Sequence, residues 1–267
     1  MIMHTRAPGD ATHPMKVEAY SPGDDSMAIT ALTFDLDDTL WNNRPVLERA
    51  EASHYQWLSD ALAAASPGVG STFMAHYPLS AYQQRRADVA RRFPLKRGDF
   101  TWIRERALFE MVEAYGLPRL QARLWAAHAI AHFLDLRHDL TPYPEVVAML
   151  DTLRRRYRIA AITNGNADLK RLDLADHFSV MIAAGELHAP KPDPRAFLAA
   201  LARLGAQPSR ALHVGDSWRE DVLPAQRLGM QVAWIDAKNE GPCELLPGVH
   251  RLTHVRELPA LLDSLAF

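Results

Sequence analysis

Asp35 and Asp37 stand two residues apart in Phe34-Asp35-Leu36-Asp37-Asp38-Thr39, directly after the apolar run Ile29 to Phe34. Residues i and i+2 of an extended chain face the same side. The two carboxylates would therefore share one small space at roughly 6 to 7 Å separation. One can act as a nucleophile while the other moves protons. Asp216 and Asp221 follow a second apolar run, Ala211 to Val214. Four acids converging on one crevice repel one another unless a cation joins them. The expected ligands are oxygens, with no His or Cys at the strand ends. That donor set favours a hard divalent ion, magnesium first, over zinc or copper.

A metal beside Asp35 and Asp216 would hold a phosphoryl group in line for attack by Asp35. The product would be an aspartyl phosphate, with Asp37 protonating the leaving alcohol and then deprotonating water. Thr163, Asn164 and the backbone N–H groups after them offer donors to phosphoryl oxygens, beside an expected helix N-terminus. Lys191, in His188-Ala189-Pro190-Lys191-Pro192-Asp193-Pro194, supplies a point charge on a loop stiffened by proline. Taken singly, an Asp-x-Asp is usually a solvated turn, Asn164-Gly165 an ordinary turn and Lys191 an exposed charge. Their order along the chain reverses those readings. Asp221 alone also has a bland reading, as a cap of the helix that follows it.

The elements that must position these residues alternate. Short apolar runs at Ile29–Phe34, Ile159–Ile162, Ala211–Val214 and Val232–Ile235 read as buried parallel strands. Helical stretches lie between them at Glu145–Arg155, Pro194–Leu204 and Arg219–Leu228. The expected fold is α/β, a doubly wound parallel sheet with every polar motif at a strand C-terminus, the edge where open α/β sheets bind ligands. Residues 44–140 read as helices alone: one from Pro45 to Ser66-Pro67-Gly68, then Trp102–Tyr115 and Leu120–Leu134. They form an expected helical cap inserted between core segments 28–43 and 141–267, re-entered through Thr141-Pro142-Tyr143-Pro144. Residues 1–27, rich in Pro, Gly, Asp, Ser and Thr, read as a loose tail with no apolar signal core; Met15 or Met27 would also start a complete domain.

With 267 residues, 48% of them hydrophobic, the chain can bury a sizeable core and a second small domain. A net charge of −2 leaves no basic excess for a nucleic acid backbone. No run approaches the length needed to span a bilayer. The single cysteine, Cys243, excludes an internal disulfide and a cysteine metal cluster, which suits a reducing cytoplasm. Gly68-Val69-Gly70-Ser71 lacks the lysine of a P-loop.

The motifs Asp35-Leu36-Asp37-Asp38-Thr39, Thr163-Asn164-Gly165, Lys191 and Gly215-Asp216-Ser217-Trp218-Arg219-Glu220-Asp221 resemble those of the haloacid dehalogenase superfamily across residues 28 to 267. The resemblance implies a Rossmann-like core and makes Asp35 the nucleophile. Magnesium would be held by the Asp35 carboxylate, the Asp37 backbone carbonyl and Asp216, with Asp221 outside them and Glu220 a weaker candidate. Dehalogenases of the superfamily attack carbon and lack the second aspartate; Asp37 favours phosphate chemistry. The cap position is similar to the helical type one cap of small-metabolite phosphatases, expected as monomers or homodimers. Phosphomutases share that layout. The stretch from Ala31-Leu32-Thr33-Phe34 through Asn43-Arg44-Pro45-Val46, with Ala161-Ile162-Thr163-Asn164-Gly165-Asn166-Ala167, resembles bacterial phosphatases of riboflavin synthesis, which act on a ribitylamino-uracil phosphate and FMN. Sugar or nucleoside phosphates are the alternative substrates, and a noncatalytic metabolite-binding protein is the rival from another class.

The remaining polar and aromatic residues have plainer readings. His128 and His132, four apart on one helix without a third ligand, read as packing or surface, and His213 as a structural neighbour of the site. Trp41, Trp102 and Trp125 are candidates to stack on a planar substrate, Trp41 first because it follows the acidic loop.

Overall fold

Every residue of β1 (Ala31–Phe34) is buried, as a strand covered on both faces requires. The computed structural model describes residues 28–65, 72–183, 185, 187–242 and 244–266. The tail 1–27, the helix stop at Ser66-Pro67-Gly68, the segment Gly68-Val69-Gly70-Ser71 and Cys243 lie outside the described residues. With β1, the strands β2 (Arg158–Thr163), β3 (Val180–Ala183), β4 (Ala211–Gly215), β5 (Gln231–Ile235) and β6 (Val249–Leu252) form one sheet in the order β3-β2-β1-β4-β5-β6. All the pairs are parallel. Phe34 stands opposite both Ala161 and Val214, so β1, β2 and β4 deliver their following residues to one level.

Alternation along the strands divides the core into two faces. Leu32, Phe34, Ile159, Ala161, Leu212 and Val214 point to one side. There they meet α6 (Val146–Leu153) and α9 (Leu258–Ser264). Ala31, Ala160, Ile162 and Ala211 face the other side, under α7 (Pro194–Leu204) and α8 (Leu223–Arg227). The ends of α7 are written in its sequence: Asp193 accepts the Arg195 N–H, Pro194 starts the first turn, and Gly205 closes the helix at φ 60°.

Between β1 and α6 run α1 (Arg44–Ala65), α2 (Phe73–His76), α3 (Leu79–Arg92), α4 (Phe100–Ala114) and α5 (Arg119–Arg137). They bury an apolar cluster of their own, with Tyr55, Leu58, Tyr82, Leu108 and Ala126 at its centre. No helix among the described residues is long and apolar enough to cross a membrane.

Sequence periodicity passed over five elements, β3, β6, α2, α3 and α9. β3 and β6 are edge strands; Met181 is exposed and His250 and Arg251 are half-buried, so neither reads as a continuous apolar run. The helix α3 buries Tyr82 and Val89 on an otherwise polar surface. The expected helix Arg219–Leu228 is instead a wide π-type turn over Trp218–Val222 followed by α8. Pro224 has no N–H for the Glu220 carbonyl, and the wider turn accommodates that missing bond.

His54 lies fully buried inside the helical segment. Its Nδ1 is 2.8 Å from the Ala50 carbonyl, while Nε2 has no partner. Burial, aided by the charges of Arg104 and Arg86, pushes the ring from 6.5 down to about 4. The unfolded chain binds this proton first as the pH falls. The stability contributed by the neutral ring is thus complete above pH 6.5 and is lost toward pH 4. At pH 5 the loss is about 2 kcal/mol. Urea unfolding of wild type and His54→Gln at pH 7 and pH 5 should show a smaller acid loss in the variant; equal losses would contradict this account.

Candidate active site

The sheet order dictates where a site can form. From β1 the chain moves outward through β2 and β3, then returns to lay β4 on the other side of β1. That reversal opens a crevice between the C-terminal ends of β1 and β4. Asp35 follows β1 and Asp216 follows β4, one on each side of it.

Asp35 is buried at 6% exposure, and its N–H donates to the Val214 carbonyl at 2.8 Å. The chain then turns: the Leu40 N–H reaches the Leu36 carbonyl at 2.8 Å, and Asp38 takes φ 59°. Aspartate tolerates this left-handed conformation better than most residues. Asp38 Oδ1 also accepts the Asn43 N–H at 2.8 Å, bracing the turn. Trp41 is fully buried, and its Nε1 donates to Asp37 Oδ1 at 2.9 Å. Trp41 therefore orients an acid from within the core, and the expectation that it stacks on substrate is corrected.

Lys191 is the central cation. It is buried at 4% exposure, and its Nζ donates to Asp35 Oδ1 at 2.6 Å and to Asp221 Oδ1 at 2.5 Å. Burial disfavours its charge, yet Asp221 and Asp35 outweigh burial and raise its pKa. Burial likewise opposes the charge of Asp221, but Lys191 and His213 hold it below the ordinary carboxylate range. For Asp35 burial wins over Lys191 and pushes the carboxyl well up. His213 stands between Thr33 Oγ1 at 2.8 Å and Asp221 Oδ1 at 3.1 Å, a positioning contact as its strand location implies. The Ser217 N–H donates to Asp221 Oδ2 at 3.0 Å. Both Asp221 oxygens are thus engaged by protein, which suits a place outside the direct ligands. At Gly215 an added Cβ would strike the Asp221 carboxyl, so glycine is required there.

Carboxylate oxygens of Asp35, Asp216 and Asp221 lie within 4.8 Å of one another. Asp216 is pushed up to about 7, by burial first and then by repulsion from Asp221 and Asp38. An oxygen-only cluster with such an undercompensated carboxyl fits a divalent cation, which would remove the repulsion. Asp216 is fixed through its carbonyl, which accepts Trp234 Nε1–H at 2.8 Å.

Asn164 clamps the Lys191 peptide. Its Nδ2 donates to the Lys191 carbonyl at 2.9 Å, and the Lys191 N–H returns a bond to Oδ1 at 2.7 Å. Nδ2 also meets Glu220 Oε2 at 2.8 Å. The side chain proposed as a phosphate donor thus positions Lys191 instead. Thr163 Oγ1 accepts the Gly165 N–H at 2.9 Å, leaving its hydroxyl hydrogen to donate. The helix N-terminus expected after Asn164 is absent. Residues 164–174 run through bends and turns to a single turn at Ala175–His177, because Thr163 and Asn164 direct their oxygens to backbone N–H groups in and across the loop.

Asp35, Asp37, Asp216, Asp221, Thr163 and Lys191 line one cavity of about 550 Å³. Sequence reasoning missed Arg137, the last residue of α5, which donates Nη2–H to Asp37 Oδ1 and is fully buried. An arginine ending an amphipathic helix ordinarily reads as a favourable charge at the helix dipole, so nothing local marks it. Phe100 and Arg104 of α4 line the same cavity and were also missed. Trp125 packs against Trp57 and His128, and His132 against Trp57, away from the acids. Trp102 lines an adjoining cavity of about 660 Å³ that shares Phe100, Thr163, Gly165 and Asn166 with the acidic one and contains none of the four acids.

The family model for haloacid dehalogenase-like hydrolases matches residues 29–229, a span that includes β1, the acid-bearing turn and Asp221. The chain belongs to the haloacid dehalogenase-like hydrolases. Among curated relatives of this hydrolase, the 5-amino-6-(5-phospho-D-ribitylamino)uracil phosphatase YigB of Escherichia coli is 32% identical over 211 residues, covering 79% of this chain and 85% of that protein. A phosphoserine phosphatase of Thermus thermophilus is 39% identical over 141 residues, 50% of this chain and 55% of that protein. A solved structure described as a 2-haloacid dehalogenase from Pseudomonas syringae superposes with a TM-score of 0.80 at 33% identity, over 88% of this chain and 99% of that one.

Lys191 makes this hydrolase's site a test of buried charge. Lys191→Met leaves Asp35 and Asp221 facing each other without a cation, and a loss of about 3 to 5 kcal/mol in denaturant unfolding is expected. Adding Asp221→Asn should restore part of it. An additive or larger loss in the double variant would show that the lysine acts mainly through packing.

Proposed function

We propose that this hydrolase is a magnesium-dependent phosphatase of small-metabolite phosphate monoesters. The observation that carries the reading is Asp35, buried at the switch point, bridged to Asp221 by Lys191 and clustered with the Asp216 and Asp221 carboxylates. Magnesium would be held by Asp35, Asp216 and the Asp37 carbonyl, with Asp221 outside them; when bound it neutralises these acids and the phosphoryl oxygens.

Asp35 attacks phosphorus, forming the aspartyl bond as the ester oxygen leaves. Lys191 and the Thr163 hydroxyl bind the transferred group, and the Asn164 clamp keeps Lys191 in register. Asp37, directed by Trp41 and Arg137, gives its proton to the departing alcohol. It then takes one from the water that attacks the phosphoaspartate, releasing inorganic phosphate and free Asp35. Gly165 permits this arrangement, since an added Cβ would meet the Asp37 carboxylate. The helical segment acts as a cap that excludes water and binds the leaving group.

The finer substrate reading is the ribitylamino-uracil phosphate or FMN of riboflavin synthesis, supported by the YigB similarity and by a cavity roomy enough for such a leaving group. The solved haloacid dehalogenase raises carbon chemistry as a second reading. The acid at position 37 argues against it, because a held proton donor serves an alkoxide leaving group and not a halide.

Phosphate release should be measured on FMN, the ribitylamino-uracil phosphate, and sugar and nucleoside phosphates, with magnesium or with EDTA. Turnover is expected with magnesium alone, and Asp35→Asn should lose about a thousandfold or more while unfolding like wild type. Undiminished turnover in Asp35→Asn would remove the proposed nucleophile. Halide release from a 2-haloacid without phosphatase activity would favour the second reading.

A further inference from the structure

The acids of the cavity come from the sheet and its adjoining loops, whereas its cations apart from Lys191 come from the helical segment. Arg86 of α3, Arg97, Arg104 of α4 and Arg137 of α5 all line it. Arg86 pairs with Glu51, and Arg137 with Asp37. Arg104 has no carboxylate partner among the described residues. Its Nη1 donates to the Phe100 carbonyl at 3.3 Å, its guanidinium lies 4.6 Å over the Phe133 ring, and its Nε is buried without a partner. Burial, followed by the repulsion of Arg86, pulls its pKa down to about 10 against the opposing pull of Tyr82 and Glu51, with Arg137 adding a smaller repulsion. Such a cation gains more from an acceptor entering the cavity than one already paired.

The groups acting on Arg104 all belong to the helical segment, so it sits in the helical wall of the cavity. One turn earlier on α4, Phe100 keeps 40% exposure and lines the same cavity. A planar guanidinium and an exposed aromatic side chain one helical turn apart on the same cavity wall suit a flat group edged with oxygens.

We propose that Arg104 and Phe100 form a leaving-group subsite for a planar oxygen-acceptor edge, either a carboxylate or the carbonyls of a pyrimidine or flavin ring. In turnover this rests on the phosphatase reading; as a binding site it stands apart from it. The subsite makes the substrate an ester with two recognised ends. The phosphate docks at the sheet and the acceptor edge at α4. The two sources of that edge differ in charge, and substrates carrying each separate them.

The test uses the full chain, as wild type, Arg104→Met and Arg104→Lys, each checked by thermal unfolding. The kcat/KM values for FMN, 6-phosphogluconate and glycerol 1-phosphate are compared with magnesium present. Arg104→Met is expected to lose at least tenfold more on FMN or on 6-phosphogluconate than on glycerol 1-phosphate, mostly through KM. Arg104→Lys should recover more of that loss for the carboxylate than for the ring, because it keeps charge and loses the planar fork. Whichever of the two substrates shows the selective loss identifies the acceptor. An equal loss on all three substrates, or no loss, overturns the subsite while leaving the phosphatase reading in place. If no ester turns over, direct binding of riboflavin, gluconate and glycerol decides the matter. At least tenfold selectivity over glycerol that Arg104→Met abolishes supports the subsite without catalysis, and its absence overturns it.

Discussion

The structure turns on one buried lysine shared by two acids. Nζ of Lys191 sits between Asp35 and Asp221 at 2.6 and 2.5 Å, with all three side chains nearly closed to solvent. Removing such charges from water costs several kcal/mol per ion, and their mutual attraction restores that only in a well-made geometry. A stable core could be built more simply from apolar side chains. The surroundings are accordingly spent on geometry: Asn164 holds the Lys191 peptide from both sides, while Ser217 and His213 hold Asp221. Thr33 in turn holds His213, so the chain of contacts runs back into the central strand.

That arrangement needs the sheet order. Asp35 and Asp221 are 186 residues apart in sequence, yet parallel pairing in register brings the ends of β1 and β4 to one level. Short strands suffice because both faces of the sheet are covered and each residue is used. Small residues matter where the acids come closest. Gly215 makes room for the Asp221 carboxyl and Gly165 for that of Asp37.

The helical segment enters the same electrostatic system from above. Arg137 reaches from the end of α5 to the carboxylate that Trp41 holds from below, so Asp37 is directed jointly by segment and core. Close by, the Tyr143 N–H donates to the Leu40 carbonyl, tying the chain's return from the helices to the acidic turn. The cavity is consequently acidic on the sheet side and basic on the helical side. Acceptor oxygens of a ligand are drawn to the helical side, whereas an anionic group reaches the sheet side only beside a cation that offsets the acids.

Much of the core was legible locally. Strands buried on both faces must be apolar throughout, so β1, β2, β4 and β5 stand out, and Asp193-Pro194 with Gly205 mark both ends of α7. Asp35, Asp37, Thr163 and Asp216 were legible because they fall at the ends of those runs, and Lys191 and Asp221 because of their order behind them along the chain. Edge strands β3 and β6 were not, since an edge tolerates polar residues. Nor were the roles of Trp41, Asn164 and Arg137, whose partners lie 4, 27 and 100 residues away, or the wide turn that Pro224 shapes. The sequence by itself determined which residue types follow which strands, because burial and backbone propensity act over a few neighbouring residues. Tertiary structure decided which carboxylate meets which cation, since charge acts through space and only the folded sheet brings those groups within hydrogen-bond reach.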